Sequence, residues 1–500
     1  MNTLKRTLAL VATLAMSATA FVSCGSDDSS SSKAATTGAA STEAGSDAAS
    51  TEAGSDAAST EAGSDASEAA TSAAPSGQGN STELGEVTLG KGGDKFSIVA
   101  WNEDDVPALI DLWAGNGGDK SKVDFNSFGV GGGKASEKYD ALFDAGNAPD
   151  VYFCEADWAL KYINDDTKTA PLEALGFTDD NFRDAYPYTA EIGRATEGAN
   201  AGKMVGASWQ AAAGGFAYRT DLAEQYLGVK TPAEMQAKIG SWDDFVSAAT
   251  TVAAATDKKV ALADSIGGMW QVFAANRTTP WVNNGKPAFD ASCETFAKYA
   301  KTLWDNGGVT HNGQWSDEWI PAGKDGSAMG YFVSTWGFGE KAFLGQASSN
   351  SYGKWAVVQG PAPYFWGGTW IVVNPKTDNA EEAQSFIATA TVNPETMRKL
   401  ALEKPEYVNN LTVMQTIVDN NECPNEWVTK NLGGQNYFAE LHENAKKIDI
   451  KGLITPYDAT IKSAFLDAIT KEYCDGGKSY EDTISKAMDD VLTAIPDLAK

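Results

Sequence analysis

Carboxylates and amides stand beside tryptophans at several separated places in this 500-residue sequence. The sites are Trp101-Asn102-Glu103, Glu155-Ala156-Asp157-Trp158, Trp209-Gln210, Trp336 after Ser334-Thr335, and Trp366-Gly367-Gly368-Thr369-Trp370. Two loops repeat the pairing, Trp281-Val282-Asn283-Asn284-Gly285 and Gly433-Gly434-Gln435-Asn436-Tyr437. A flat ring offers an apolar face, and an acid or amide offers hydrogen bonds. Together they suit a ligand with C–H faces and a rim of hydroxyls, which is the surface of a sugar. In this reading Asp157 accepts hydroxyl hydrogen bonds and Trp336 is the stacking plate. Core packing competes for every single tryptophan, and Trp113, Trp242, Trp304 and Trp355 are expected in the core. Trp315 and Trp319, spaced i, i+4, either edge a cleft or pack a loop.

Other chemistries fit less well. Glu103, Glu155 and Asp157 could flank a glycosidic bond, so a tethered glycoside hydrolase is the alternative. With only two histidines, His311 and His442, a Ser-His-Asp triad or a multi-histidine metal site is disfavoured. His442 is expected to be solvated on a polar helix. Gly131-Gly132-Gly133-Lys134 suggests a phosphate loop, but Phe128 holds the first glycine's place and Ala135 the Ser/Thr position. The pairs Asp104-Asp105, Asp165-Asp166 and Asp179-Asp180 lack the spacing of a calcium loop. The five cysteines form no C-x-x-C. Cys154 reads as a buried free thiol, and a Cys423–Cys474 pairing stays open. No catalytic residue, metal or cofactor is expected.

The formal net charge is -28. An acidic surface argues against nucleic acid and against adsorption on anionic lipid. Residues 1–23 read as an export signal, with Lys5 and Arg6 before an apolar run too short to span comfortably. The run ends in Phe21-Val22-Ser23-Cys24, which resembles the lipobox of bacterial lipoproteins and marks Cys24 for lipidation. Residues 24–92 read as a disordered tether. Ser-Thr-Glu-Ala-Gly-Ser-Asp-Ala recurs from 41, 50 and 59, with nothing apolar enough to build a core. As a flexible coil it would reach about 45 Å.

These side chains need a frame. Lys95–Trp101 is a buried-strand run, Val106–Ala114 a helix, Val123–Phe128 a strand, Ala135–Ala145 a helix and Ala148–Phe153 a strand. Strand–helix–strand order implies parallel pairing in an α/β sheet, with ligands at the carboxyl ends of its strands. A second α/β pattern runs from Gly215–Thr220 through the helix Trp242–Ala254 to strands at Ala328–Val333, Ala356–Val358 and Gly367–Val373. Beyond about 391 the pattern is helical.

The order of these pieces carries a resemblance. Ala148-Pro149-Asp150-Val151 with Asp157, Phe216-Ala217-Tyr218-Arg219, Ser241-Trp242-Asp243-Asp244-Phe245, Gly326–Trp336, and Gly367–Trp370 before Asn379–Ala383 resemble the solute-binding proteins of bacterial carbohydrate ABC importers. The resemblance implies two α/β lobes joined by crossing strands, with the ligand between them. It places lobe one at 93–207 plus 364–405 and lobe two at 208–363 plus 406–500. It implies a monomer on the outer face of the cytoplasmic membrane that captures a carbohydrate and hands it to permease subunits, with no enzyme activity. A non-sugar solute, such as a peptide or polyamine, is the other alternative on this fold. One departure stands out: Ala211-Ala212-Ala213 fills a stretch where the family often carries a polar ligand contact, leaving Ser208 and Gln210 nearest.

Overall fold

Buried aliphatic and aromatic runs set the two sheets. In the computed structural model, residues 77–498 are described, except Asp104, Val130, Pro405 and Pro424. The signal, Cys24 and the tether as far as residue 76 lie outside the described residues. The first sheet contains β1 (Phe96–Ala100), β2 (Val123–Ser127), β3 (Val151–Glu155), β4 (Ala207–Ser208) and β11 (Thr369–Val373), in the order β2-β1-β3-β11-β4. β1 pairs in parallel with β2 and β3, as strand–helix–strand order demands, and β11 runs antiparallel to β3 and β4.

The second sheet takes β5 (Gly214–Arg219), β6 (Ala261–Ala263), β9 (Ala328–Ser334) and β10 (Trp355–Val358) in the order β10-β5-β9-β6. A small hairpin, β7 (Val282–Asn283) with β8 (Lys286–Pro287), stands apart. All of β9 and all of β5 except Arg219 are buried, so these strands read as continuous apolar runs rather than alternating ones. Local signals place the helices. Thr231 and Glu234 form a capping box before Pro232–Ile239. Ser241 accepts from the Asp244 N–H at the start of Trp242–Ala255.

Three chain segments cross between the sheets and hydrogen-bond side by side. Trp209–Ala213 leads from β4 to β5, Tyr364–Gly368 leads into β11, and Tyr407–Asn409 makes the third passage. The Ala211 N–H donates to Tyr407 O at 3.0 Å and the Asn409 N–H to Trp209 O at 2.8 Å. The Trp366 N–H donates to Ala212 O at 3.1 Å. Ala212 sits at φ 48°, the left-handed region that side chains rarely adopt. Gly368, at φ 100°, turns the last crossing into β11 in a conformation only glycine takes easily.

Two expectations are corrected. Residues 77–92 are not tether. Their extended backbone is pinned to the first lobe: Asp184 accepts from the N–H groups of Gln78 and Gly79, and Asn181 donates to Ser81 O and Glu83 O. A stretch with no core of its own is thus ordered by hydrogen bonds to its backbone and by Val87, Leu84 and Leu89 packing on the first core. His442 is not solvated but fully buried against Tyr186 and Tyr407. Cys154, Cys293 and Cys474 are buried free thiols and Cys423 is free and half-buried.

Candidate functional site

β3 ends at Glu155, and the chain turns at once so that Asp157 faces the second lobe. The Asp157 main-chain N–H donates to Glu155 Oε2 at 3.0 Å, holding the Glu155 carboxyl against the turn that carries Asp157. Burial and the neighbouring Asp157 charge push the Glu155 carboxyl up to about 8, against the pull of Lys462. Burial thus favours the protonated Glu155 carboxyl, the form that can donate.

Three indoles gather on the second lobe and the crossing. Trp336, following β9, donates its Nε1–H to Trp366 O at 2.8 Å, and the two rings meet edge to face at 4.8 Å. Trp315 stacks on Trp336 at 6.0 Å and 22°, with 59% of its surface exposed and φ at 66°. A Cβ on Gly367 would sit 3.3 Å from Trp336 Nε1 and 3.9 Å from Glu155 Oε1, so the indoles and the acid are neighbours across a glycine.

A cavity of about 310 Å3, partly open to solvent, lies beside this cluster and is lined by Asp157, Gln271, Arg277, Trp366, Asp458 and Lys462, among others. Lys462 belongs to the helix Asp458–Ala468, and its Nζ reaches both Asp157 oxygens at 2.9 and 2.8 Å. Behind it, Arg277 and Asp458 form a buried ion pair at 2.6 Å, with the guanidinium stacked 4.1 Å over Trp281. Such a pair fixes geometry more than it adds stability, since its desolvation offsets most of the attraction.

The structure therefore brings Glu155, Asp157, Trp336 and Trp366 together. Trp101 and Asn102 are half-buried and Glu103 exposed after β1; the Trp101 Nε1 is buried without a partner. The other rings went elsewhere. Trp158 packs among Tyr139 and Tyr162, and Trp209 against Phe153. Trp281 stacks on Trp270 in the second core. Trp370 donates to Thr189 O at 3.0 Å, and Tyr437 lies between Phe338 and Phe438. All five are buried core rings, because a large ring gains most by leaving water wherever the fold offers packing partners. Gln210 is buried, paired through its backbone with Val408 and through Nε2 with Glu406 at 3.4 Å. Gly368 serves the crossing turn. Trp242 and Trp304, expected inside, are half-buried, Trp304 stacked flat on His311 at 3.9 Å.

Sequence reasoning missed Lys462, Arg277, Asp458 and Gln271. Asp458 and Lys462 share a helix face at i, i+4, the one signal available. Among the described residues no three His, Cys, Asp or Glu side chains group as metal ligands, and no helix is long and apolar enough to cross a membrane.

The family described as bacterial extracellular solute-binding protein matches residues 116–431. No curated protein sequence matches the chain significantly. Solved structures do. An extracellular solute-binding protein of family 1 aligns at TM-score 0.67 and 17% identity, covering 80% of this chain and 100% of that one. The galacto-N-biose-/lacto-N-biose I-binding protein of an ABC transporter from Bifidobacterium longum, in complex with lacto-N-biose, aligns at 0.63 and 16%, covering 82% and 99%. The sugar-binding protein MalE from Xanthomonas citri aligns at 0.62 and 12%, covering 80% and 98%. At these identities the likeness is one of fold: two lobes with a cleft between them.

Proposed function

The chain belongs to the bacterial extracellular solute-binding proteins, and we propose from that premise that it captures a carbohydrate, an oligosaccharide, and delivers it to the permease subunits of an ABC importer. The observation that carries the reading is the meeting of Glu155 and Asp157 from one lobe with Trp336 and Trp366 beside the other. Acids that bond hydroxyls and indoles that cover ring faces are the two things a sugar site needs. The lobes assigned at 93–207 plus 364–405 and 208–363 plus 406–500 close about the three crossing segments, and closure commits the ligand. The same reading puts the protein on the outer face of the cytoplasmic membrane as a monomer. Cys24 is lipidated, with more than one acyl chain, since a single chain anchors only marginally.

One feature favours a hydrolase: a protonated Glu155 beside Asp157 resembles an acid and nucleophile pair. Both carboxyls, however, stand at one strand end of one lobe, whereas hydrolysis needs them on opposite sides of the bond. The test is a thermal-shift panel of maltotriose, lactose and β-1,6-galactobiose with chromatography of the same mixtures. A shift with intact sugar supports capture; released monosaccharide supports the hydrolase; no shift with any member argues against both.

A further inference from the structure

Asp157 and Lys462 come from opposite walls of the cleft, and each is held from behind. Asp157 follows β3, its N–H tied to Glu155. Lys462 sits on a helix whose Ile461 and Phe465 are buried in the second core, where Phe465 stacks 4.5 Å from Trp270. Trp270 Nε1–H also donates to Lys462 O at 3.1 Å, and Asp458, one turn earlier, is locked to Arg277. The Ala459 N–H donates to Asp157 O at 3.3 Å, a main-chain bond across the same gap. The ammonium and carboxylate are 16% and 33% exposed. The cavity they line amounts to about 310 Å3 even with open solvent included. The polar floor of the cleft is thus closed by the chain's own ion pair.

We propose that Lys462 is a specificity-determining residue: its ammonium latches Asp157 in the ligand-free protein, and a ligand enters by replacing that pair with a vicinal diol. One hydroxyl donates to the Asp157 carboxylate, and its neighbour accepts from Lys462 Nζ. A solute that offers only one of the two leaves a desolvated charge unpaired, so it is rejected. The latch also explains why a lysine, not another ring, stands opposite the acid: a donor and an acceptor side by side read the spacing of adjacent hydroxyls. The inference rests on the carbohydrate reading for its ligand, but not for its latch.

Amide hydrogen exchange of the ligand-free full chain reads the latch, with titration of the tightest binder among maltotriose, lactose and β-1,6-galactobiose reading the ligand. Lys462→Met keeps the aliphatic stem and removes the charge. Exchange in segments 153–160 and 456–466 is expected to rise about tenfold, and the exchanged pair Asp157→Lys with Lys462→Asp to restore it. Sugar affinity is expected to fall about tenfold or more in both variants, the usual cost of losing a charged hydrogen bond. Wild type should also discriminate about tenfold against monodeoxy analogues lacking one hydroxyl of the diol, and Lys462→Met should not. Unchanged exchange in Lys462→Met overturns the latch. Sugar affinity undiminished by Lys462→Met overturns the inference while leaving the carbohydrate reading intact. A wild type that binds none of the sugars overturns that reading and the diol with it, and exchange then decides the latch alone.

Discussion

Acidification should cost this protein stability through one residue, His442, at the root of the third crossing segment. Its Nδ1 lies 2.9 Å from the hydroxyls of both Tyr186 and Tyr407, which are 2.6 Å from each other, and its Nε2 lies 2.9 Å from Gln415 Oε1. A neutral ring protonated on Nε2 satisfies every member: it donates to Gln415 and accepts at Nδ1, while one tyrosine donates to the other. A second proton on Nδ1 sets a donor against two hydroxyls that have no better acceptor. Burial, aided by Lys446, accordingly lowers the His442 pKa from 6.5 to about 4, with Glu443 and Asp419 opposing. In the unfolded chain the ring takes its proton near 6.5. Between the two values the unfolded state binds more protons, so stability falls as pH drops from 6.5 and the loss is complete by about 4. At 1.36 kcal/mol per pH unit the loss is about 3 kcal/mol. The assay is urea unfolding followed by tryptophan fluorescence at intervals from pH 4 to 8, for wild type and His442→Gln. The difference between the two curves cancels the other titrating groups. It should shrink by about 3 kcal/mol from pH 7 to pH 4. A difference that stays flat across that window would refute the reasoning.

Three further outcomes follow from the same contacts. Glu155 has its pKa raised from 4.5 to about 8, so the folded state holds a proton that the unfolded state has released. Its contribution falls as pH rises from 4.5 to 8, and Glu155→Gln should remove that slope in the same urea series. Arg277→Met leaves Asp458 buried without its cation and should cost about 3 kcal/mol or more in urea unfolding, with Asp458→Asn in addition recovering part of the loss. Cys24→Ala should move the protein from the cell surface to the medium on fractionation, and retention on cells would contradict lipid anchoring.

The sheets were legible because their chemistry is local. Phe96–Ala100 and Val151–Glu155 are apolar runs bounded by turn residues, and parallel pairing follows from the helices between them. β3 extends two residues past the expected Phe153 because Cys154 and Glu155 pair with Trp370 and Thr369 on a strand more than 200 residues away. The site was legible in part. A tryptophan at a strand end announces itself, but which face its ring takes depends on register and on the neighbours it meets. Trp366 lines the cavity and Trp336 packs half-buried against it, while Trp158, Trp209 and Trp370 turned into cores. The crossing segments gave no warning in Ala211-Ala212-Ala213, whose role is backbone pairing. Lys462 was invisible for the same physical reason as the order in 77–92: its partner lies 305 positions away, and only the fold makes them neighbours.

The proposed capture of a sugar between the lobes rests on Asp157 and Trp336. Isothermal titration of the best-stabilising oligosaccharide into wild type and Trp336→Ala tests it most directly. Losing a central aromatic anchor typically costs about 2 kcal/mol or more, so the variant should bind about 30-fold more weakly or worse. The same variant, half-buried at that position, should unfold within a few degrees of wild type when no sugar is present. Saturable binding that Trp336→Ala removes is the predicted result. Equal affinity in the two proteins, or no heat with any sugar, would contradict the account.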